Sequence, residues 1–332
     1  MTTDRNEPTI LSSLPTAELD AAADFLDGGD DYLVTAHVNS DGDAIGGCLA
    51  LANLLRLRGK SCRVVLNDVP PGNAYDFLQG AKEIEIAREP AAFACATGVV
   101  LDCPTLERTG LAASYLEPQA PVLNLDHHHD NARFGVVNLV SDDVSSTCEL
   151  VYHLAAHMGV DYDRGLAEQL YTGILYDTGG FRYSLTTPTS LEVAADLIRH
   201  GARLDFVADA IYNNNSFESV KVIGNAIDSL RLHKGGQVAT LHLSVDDINR
   251  GDPEATVNYG LMIRGVEVTA LFKEEKPGEF RISLRSRRDV DVSGIAHQFD
   301  GGGHARAAGC RLQGSFAEVQ QQVLHVIAAT LR

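Results

Sequence analysis

Carboxylates and imidazoles collect in four short stretches of the first half of this chain: His37-Val38-Asn39-Ser40-Asp41-Gly42-Asp43, Asp102, Asp126-His127-His128 and Asp177-Thr178-Gly179. Brought together, these side chains would repel and desolvate one another without cations. Imidazole and carboxylate with no thiolate favour Mn²⁺ or a similar first-row ion over a structural zinc site. Singly, each stretch has an ordinary explanation. Asp43 could cap a helix beginning at Ala44, Asp41-Gly42 could be a turn, and Asp177-Thr178-Gly179 could stop a helix. The four in one chain point instead to metal chemistry.

The elements that must position them follow from periodicity. Tyr32–Ala36, Cys62–Leu66, Val99–Leu101 and Val122–Leu125 are short, apolar and bounded by turn residues, so they read as strands. Ile45, Leu49 and Ala52 recur at helical spacing, as do Leu166, Leu170 and Ile174. Strands alternating with helices predict an α/β domain with a parallel sheet, whose ligands sit beyond the carboxyl ends of the strands. His37, Asp102 and Asp126-His127-His128 all fall at such ends, and Asp177 falls at the end of a helix.

Further on, a helix is expected over Thr189–His200, a break at Asn213-Asn214-Asn215-Ser216, and a helix from Phe217 to Leu232. Gln237–Leu243, Val266–Phe272 and Phe280–Leu284 then alternate like strands with one solvated face, and a helix over Ser315–Leu331 ends the chain. The expected organisation is a catalytic domain over 1–188, a helical connector over 189–215 and a smaller α/β domain over 216–332.

The 332 residues carry a formal charge of −18, and it is uneven. Residues 1–215 hold 13 Lys/Arg against 31 Asp/Glu, whereas residues 216–332 hold 14 of each. Such a surface disfavours long nucleic acid, whose binding requires many phosphates to be neutralised. The six cysteines form no CxxC pair, which suits reduced thiols. Met1–Pro15 is polar and acidic, unlike a signal peptide, and the apolar run Ile45–Leu55 is too short to span a bilayer. A cytoplasmic protein without a membrane partner is the expectation, and a homodimer is compatible with it.

The four stretches, in this order, resemble the DHH phosphoesterase family, named for its Asp-His-His motif. The matching pieces are His37 to Gly46, Leu101-Asp102 with Arg108, Asp126-His127-His128 with Asn131 and Phe134-Gly135, and Tyr171 to Tyr183 around Asp177. Ser283-Leu284-Arg285-Ser286, Asp291-Val292, Gly301-Gly302-Gly303-His304 and Ala307-Ala308-Gly309 continue the likeness through the second half. The resemblance implies two divalent ions, Mn²⁺ by preference. His37, Asp41 and Asp102 would hold one, and Asp43, Asp102, His127 and Asp177 the other, with Asp102 bridging. Two ions about 3.5–4 Å apart can activate water for in-line attack on phosphorus. Asp126 would orient His127 or His128, and His128 would bind phosphate or protonate the leaving oxygen. His129 has no assigned role.

The same resemblance makes Arg108, Arg285, Ser286, Gly302, Gly303 and His304 substrate-binding residues, the last five on a DHH-associated domain that faces the metals across a cleft. Consecutive glycines let backbone N–H groups approach a phosphate, and Arg285 and Arg287 would share one face of a strand, with Arg288 and Arg306 nearby. One departure stands out: Asp300 occupies a position that is usually glycine in the family, placing a carboxylate beside the cradle. A chain of this size resembles the nanoRNase/pAp phosphatase branch, which hydrolyses very short RNAs and removes the 3′-phosphate of adenosine 3′,5′-bisphosphate. A cyclic- or linear-dinucleotide phosphodiesterase would use the same residues. A silent nucleotide sensor and a closed structural metal site are the rivals of another class; the first would normally have lost a ligand, and the second would unfold on chelation.

Overall fold

The computed structural model describes residues 14–68, 75–251, 254–287 and 290–331. The chain divides into two compact units, Met1–Asn214 and Asn215–Arg332. In the first, β1 (Tyr32–Thr35), β2 (Cys62–Leu66), β3 (Glu85–Ile86), β4 (Thr97–Leu101), β5 (Val122–Asp126) and β6 (Val137–Val140) form a parallel sheet ordered β3-β2-β1-β4-β5-β6. The chain runs outward one way from β1 and the other way from β4. The crevice at that reversal is where open α/β sheets hold their ligands.

Strands β1, β4 and β5 are buried throughout, as expected where both faces of a parallel sheet are covered. The helices of this unit are α1 (Thr16–Gly28), α2 (Gly42–Leu57), α3 (Thr147–His157), α4 (Arg164–Asp177), α5 (Pro188–Arg199) and α6 (Leu204–Tyr212). Helices α2 and α4 touch almost backbone to backbone. A Cβ added to Gly46 would fall less than 3.0 Å from the Gln169 carbonyl oxygen, so glycine permits the contact. Val193, Ala194 and Leu197 of α5 and Val207 of α6 join the same core. The two helices of the segment expected as a helical connector, α5 and α6, thus pack onto the core of the first unit.

In the second unit, the predicted helix from Phe217 to Leu232 stops short. Here α7 spans Phe217–Asp228, and Arg231–His233 becomes an edge strand, β7, antiparallel to β8 (Val238–Leu243). Two short helices, α8 (Val245–Ile248) and α9 (Asn258–Leu261), lead to β9 (Val268–Lys276) and β10 (Glu279–Ser286). Helix α10 (Val292–His297), β11 (Gly302–His304), β12 (Ala307–Gln313) and α11 (Phe316–Thr330) complete a sheet ordered β11-β12-β10-β9-β8-β7. Its strands are antiparallel except for the parallel pair β8–β9. The single solvated face expected for these strands holds only for β10, where Phe280, Ile282 and Leu284 are buried and Arg281, Ser283 and Arg285 are partly exposed. Val222 and Ala226 of α7 cover Leu241 and Leu271 on one side, while Val319 and Val323 of α11 join Val238, Ala270 and Phe272 on the other.

Candidate metal centre and active site

The His37–Asp43 loop leaves β1 at the sheet's reversal point. Asp41 caps α2, accepting hydrogen bonds on Oδ1 from the amides of Asp43 (3.0 Å) and Ala44 (3.2 Å). The cap is therefore Asp41 and not Asp43 as expected, because α2 begins at Gly42 rather than Ala44. The Asp43 carboxylate, fully buried, accepts from the amides of Thr147 (2.7 Å) and Cys148 (2.9 Å) at the start of α3. Gly173 of α4 makes room for it: a Cβ there would lie less than 3.0 Å from Asp43 Oδ1.

Asp102 follows β4 with φ of 53°, and Asp126 ends β5. His37 Nε2 lies 3.2 Å from Asp102 Oδ2 and 4.0 Å from Asp41 Oδ1. His127 Nε2 lies 3.0 Å from Asp177 Oδ2, 3.6 Å from Asp102 Oδ1 and 4.0 Å from Asp43 Oδ2. Three groups of ligand atoms result, each spanning no more than 4.8 Å: His37, Asp41 and Asp102; Asp43, His127 and Asp177; and Asp102, His127 and His128. Asp102 and His127 each belong to two of them, so the groups form one continuous cluster. Every residue that the sequence suggested as a metal ligand is brought into it.

Electrostatics bear on whether cations fit. Burial and the Asp102 charge push the Asp43 carboxyl up to about 6, and burial with the Asp43 charge holds Asp177 well above the usual carboxylate range. Burial opposes the charged form of both His37 and His127, yet Asp102 and Asp177 respectively raise them to about 10. Burial would also raise Asp102, but the hydrogen bond and charge of His37 outweigh it and hold Asp102 well below the usual range. Protons thus take the place of cations in this cluster. An oxygen-and-imidazole donor set that must otherwise bind protons fits hard or borderline divalent ions.

Asp126 settles which histidine it orients. Its Oδ1 meets His128 Nδ1 at 2.7 Å and accepts from the His127 amide at 2.9 Å, while Asn131 Nδ2 donates to Oδ2 at 2.6 Å. Three supports escaped sequence reasoning. Asp68, just past β2, accepts from the Asn39 amide (2.7 Å) and the Ser40 amide (3.4 Å), tying down the loop between His37 and Asp41. Thr147 and Cys148 cradle Asp43 through backbone amides. Arg108 acts here through its backbone carbonyl, which accepts from the Val38 amide at 2.7 Å, and its side chain is exposed. Asp68 at a strand end was the one legible hint; backbone donors carry no signature in residue type.

Residues 31–174 match the DHH family N-terminal domain, and residues 235–332 match the DHHA1 domain. A Thermus thermophilus protein named bifunctional oligoribonuclease and PAP phosphatase NrnA is 33% identical over 307 residues, 90% of each chain. This chain belongs to the DHH phosphoesterase family. It is accordingly a hydrolase of the phosphoesterase class. The Bacillus subtilis protein of the same name is 25% identical over 291 residues, 85% of this chain and 90% of that one. Among solved structures, an exopolyphosphatase-related protein from Bacteroides fragilis superposes with a TM-score of 0.88 at 25% identity, covering 96% and 98% of the two chains. RecJ from Thermus thermophilus, solved with Mn²⁺, shares the fold (TM-score 0.53, 14% identity) over 97% of this chain and 56% of RecJ.

Within the DHHA1 unit, Gly302, Gly303 and His304 form the edge strand β11 rather than a free loop. Gly303 has a φ of 133°, and a Cβ there would collide with the Ala307 carbonyl, so glycine is required for the close pairing with β12. An edge strand leaves one row of N–H groups available to a ligand. Arg285 on β10 pairs with Ala307 of β12, and its Nη1 donates to the Leu284 carbonyl (3.0 Å). Ser286, expected at the substrate, is buried, and its hydroxyl donates to the Val290 carbonyl (2.5 Å), holding the turn after β10. Arg287 lies beyond the strand, so the face shared with Arg285 belongs to Arg281 instead. The exposed Asp300 has a φ of 54°, a left-handed conformation that glycine takes freely and aspartate tolerates. The Arg288 residue and the His304 side chain lie outside what the structure describes.

Proposed function

We propose that this chain hydrolyses very short oligoribonucleotides to mononucleotides and also removes the 3′-phosphate of adenosine 3′,5′-bisphosphate, using two divalent ions, Mn²⁺ by preference. The observation that carries the reading is the convergence of six ligand side chains at the sheet's reversal point, with Asp102 common to two ligand groups. The 90% mutual coverage with a relative named for both activities supports the substrate class.

In this reading His37, Asp41 and Asp102 hold one ion, and Asp43, Asp102, His127 and Asp177 hold the other. Bound divalent ions supply charge neutralisation on phosphoryl oxygens and lower the pKa of water. The chain's own residues do the rest. Asp126, fixed by Asn131 and the His127 amide, engages Nδ1 of His128 and directs Nε2 to a phosphoryl or leaving oxygen, where it can hold or deliver a proton. Thr147 and Cys148 keep Asp43 aimed while its charge is uncompensated. Arg285 and the open N–H row of β11 bind the substrate's phosphate. A substrate of a few nucleotides requires few such contacts, consistent with the 31 acidic side chains of residues 1–215.

The test is Mn²⁺-dependent hydrolysis of a 5′-labelled RNA ladder from two to about two dozen nucleotides, lengths that bracket the few-contact regime. Adenosine 3′,5′-bisphosphate is assayed beside it. Rapid loss of only the shortest RNAs, with release of phosphate from the bisphosphate, is the expected result. A protein that leaves both intact yet opens cyclic dinucleotides would replace this reading.

A further inference from the structure

The turn after Asp177 is strained and tightly held, and it exposes an aromatic ring. Gly179, Gly180 and Phe181 have successive φ values of 59°, 70° and 61°, all left-handed, and Phe181 is not a glycine. Such a run persists only when its surroundings over-determine it, and it is characteristic of functional segments. Here the surroundings do so. The buried Thr178 accepts on Oγ1 from the Phe181 amide (3.1 Å) and on its carbonyl from the amides of Arg182 and Tyr183 (both 2.9 Å). Arg182 Nε donates to the Gly179 carbonyl (2.6 Å), and Phe181 packs on the core of the first unit.

This turn brings the Tyr183 ring so close to Gly179 that only glycine fits there. A Cβ added to Gly179 would fall less than 3.0 Å from Cδ2, Cε2 and Cζ of the ring. Yet Tyr183 is 45% exposed, so the ring is not buried by that contact. A half-exposed ring seated against Gly179, six residues past the Asp177 carboxylate, is unneeded for the core. A nucleobase offers a flat π-face to such a ring whatever its sequence, as a short-RNA hydrolase requires.

We propose that Tyr183 is a stacking platform for the nucleobase of the nucleotide whose phosphate occupies the metal centre; the proposal rests on the nucleotide reading above. Gly179 supports the ring, the left-handed turn fixes it, and the open face receives the base. Because stacking uses the ring rather than the hydroxyl, Phe substitutes for Tyr.

The experiment measures KM and kcat for adenosine 3′,5′-bisphosphate and for its base-less analogue, 1-deoxyribose 3,5-bisphosphate, with Mn²⁺. Wild type, Tyr183→Ala and Tyr183→Phe are compared. In Tyr183→Ala the nucleotide KM should rise about 5- to 150-fold, with kcat changing far less, and the preference for nucleotide over base-less analogue should fall by the same factor. Tyr183→Phe should restore both. An Ala variant with unchanged nucleotide KM, or one that loses both substrates equally, overturns the platform while leaving the nucleotide reading standing. A wild-type enzyme that hydrolyses neither the bisphosphate nor a dinucleotide removes that reading and this proposal with it.

Discussion

Gly173→Ala tests whether the metal centre depends on helix packing as the geometry requires. The new methyl would lie less than 3.0 Å from Asp43 Oδ1 and from Cβ and Sγ of Cys148. Overpacking of this kind costs about 1–3 kcal/mol, and replacing a mid-helix glycine returns about 1 kcal/mol. The net loss is therefore between zero and about 2 kcal/mol, a fall in Tm of at most about 8 °C for a unit of this size. The protein stays folded. The Asp43 carboxylate must nonetheless leave the position fixed by the Thr147 and Cys148 amides at 2.7 and 2.9 Å. A misplacement of about 1 Å in such a constellation costs on the order of 10²-fold in rate. Thermal melts, Mn²⁺ titration calorimetry and dinucleotide hydrolysis should thus show a small Tm loss beside a large loss of metal affinity and turnover. Adding Cys148→Ala removes Sγ but neither Cβ nor the Asp43 clash, so it should recover part of the Tm and little of the affinity. Full recovery of Mn²⁺ binding in the double variant would refute the reasoning, because Asp43 would then not be what the methyl displaces.

Asp102→Ala removes a ligand from both ion positions, and turnover should fall more than about 10³-fold while far-UV circular dichroism is retained; residual activity above a tenth of wild type would contradict a shared ligand. The pH dependence has a definite sign. His37 and His127, raised to about 10, bind more protons folded than unfolded, so the metal-free protein loses stability as pH rises from about 6.5 toward 10. Asp43, raised to about 6, gives a similar loss between about 4 and 6. Mn²⁺ displaces these protons, so its stabilisation should be larger at pH 8 than at pH 6; equal Tm shifts at the two pH values would show that protons and ions do not compete there. Arg285→Ala should raise KM about 10- to 150-fold, the worth of a charge-assisted phosphate contact, with little change in kcat; an unaltered KM for every short RNA would remove Arg285 from the cradle.

The clustering of these residues was legible in sequence because most of them follow an identifiable strand or helix end. His37 comes after β1, Asp102 after β4 and Asp126-His127 at the end of β5, while Asp177 closes α4. The missing elements were those whose pairing is set by tertiary context. β3 is the residue pair Glu85–Ile86, too short for periodicity to register, and β6 has only two fully buried positions. Arg231–His233 reads as a continuation of the helical pattern from α7, and only the edge of β8 makes it a strand. The burial of Ser286 was not legible because its hydroxyl is drawn inward by the Val290 carbonyl, a contact that residue type cannot disclose. The glycines after Asp300 signalled close backbone approach correctly, but the partner was β12 as much as any ligand.

The centre's carboxylates share a solution to one physical difficulty. A buried carboxylate is costly unless hydrogen-bonded, and a metal site must bury several before any ion arrives. Asp41 takes two amides from the start of α2, Asp43 takes two from the start of α3, and Asp126 takes the amide of His127 with Asn131 in support. Asp41 and Asp43 thereby sit against helix N-termini, whose dipoles favour negative charge. Donors drawn from backbone cannot be lost by a single side-chain substitution, and they leave the opposite carboxylate lone pairs for ions. Among the described residues no backbone amide donates to Asp102 or Asp177; Asp102 leans on His37 and the Thr147 hydroxyl, and Asp177 on His127. Ion binding should therefore displace protons chiefly from His37, His127, Asp177 and Asp43, while the backbone amides at the starts of α2 and α3 keep the Asp41 and Asp43 carboxylates in place.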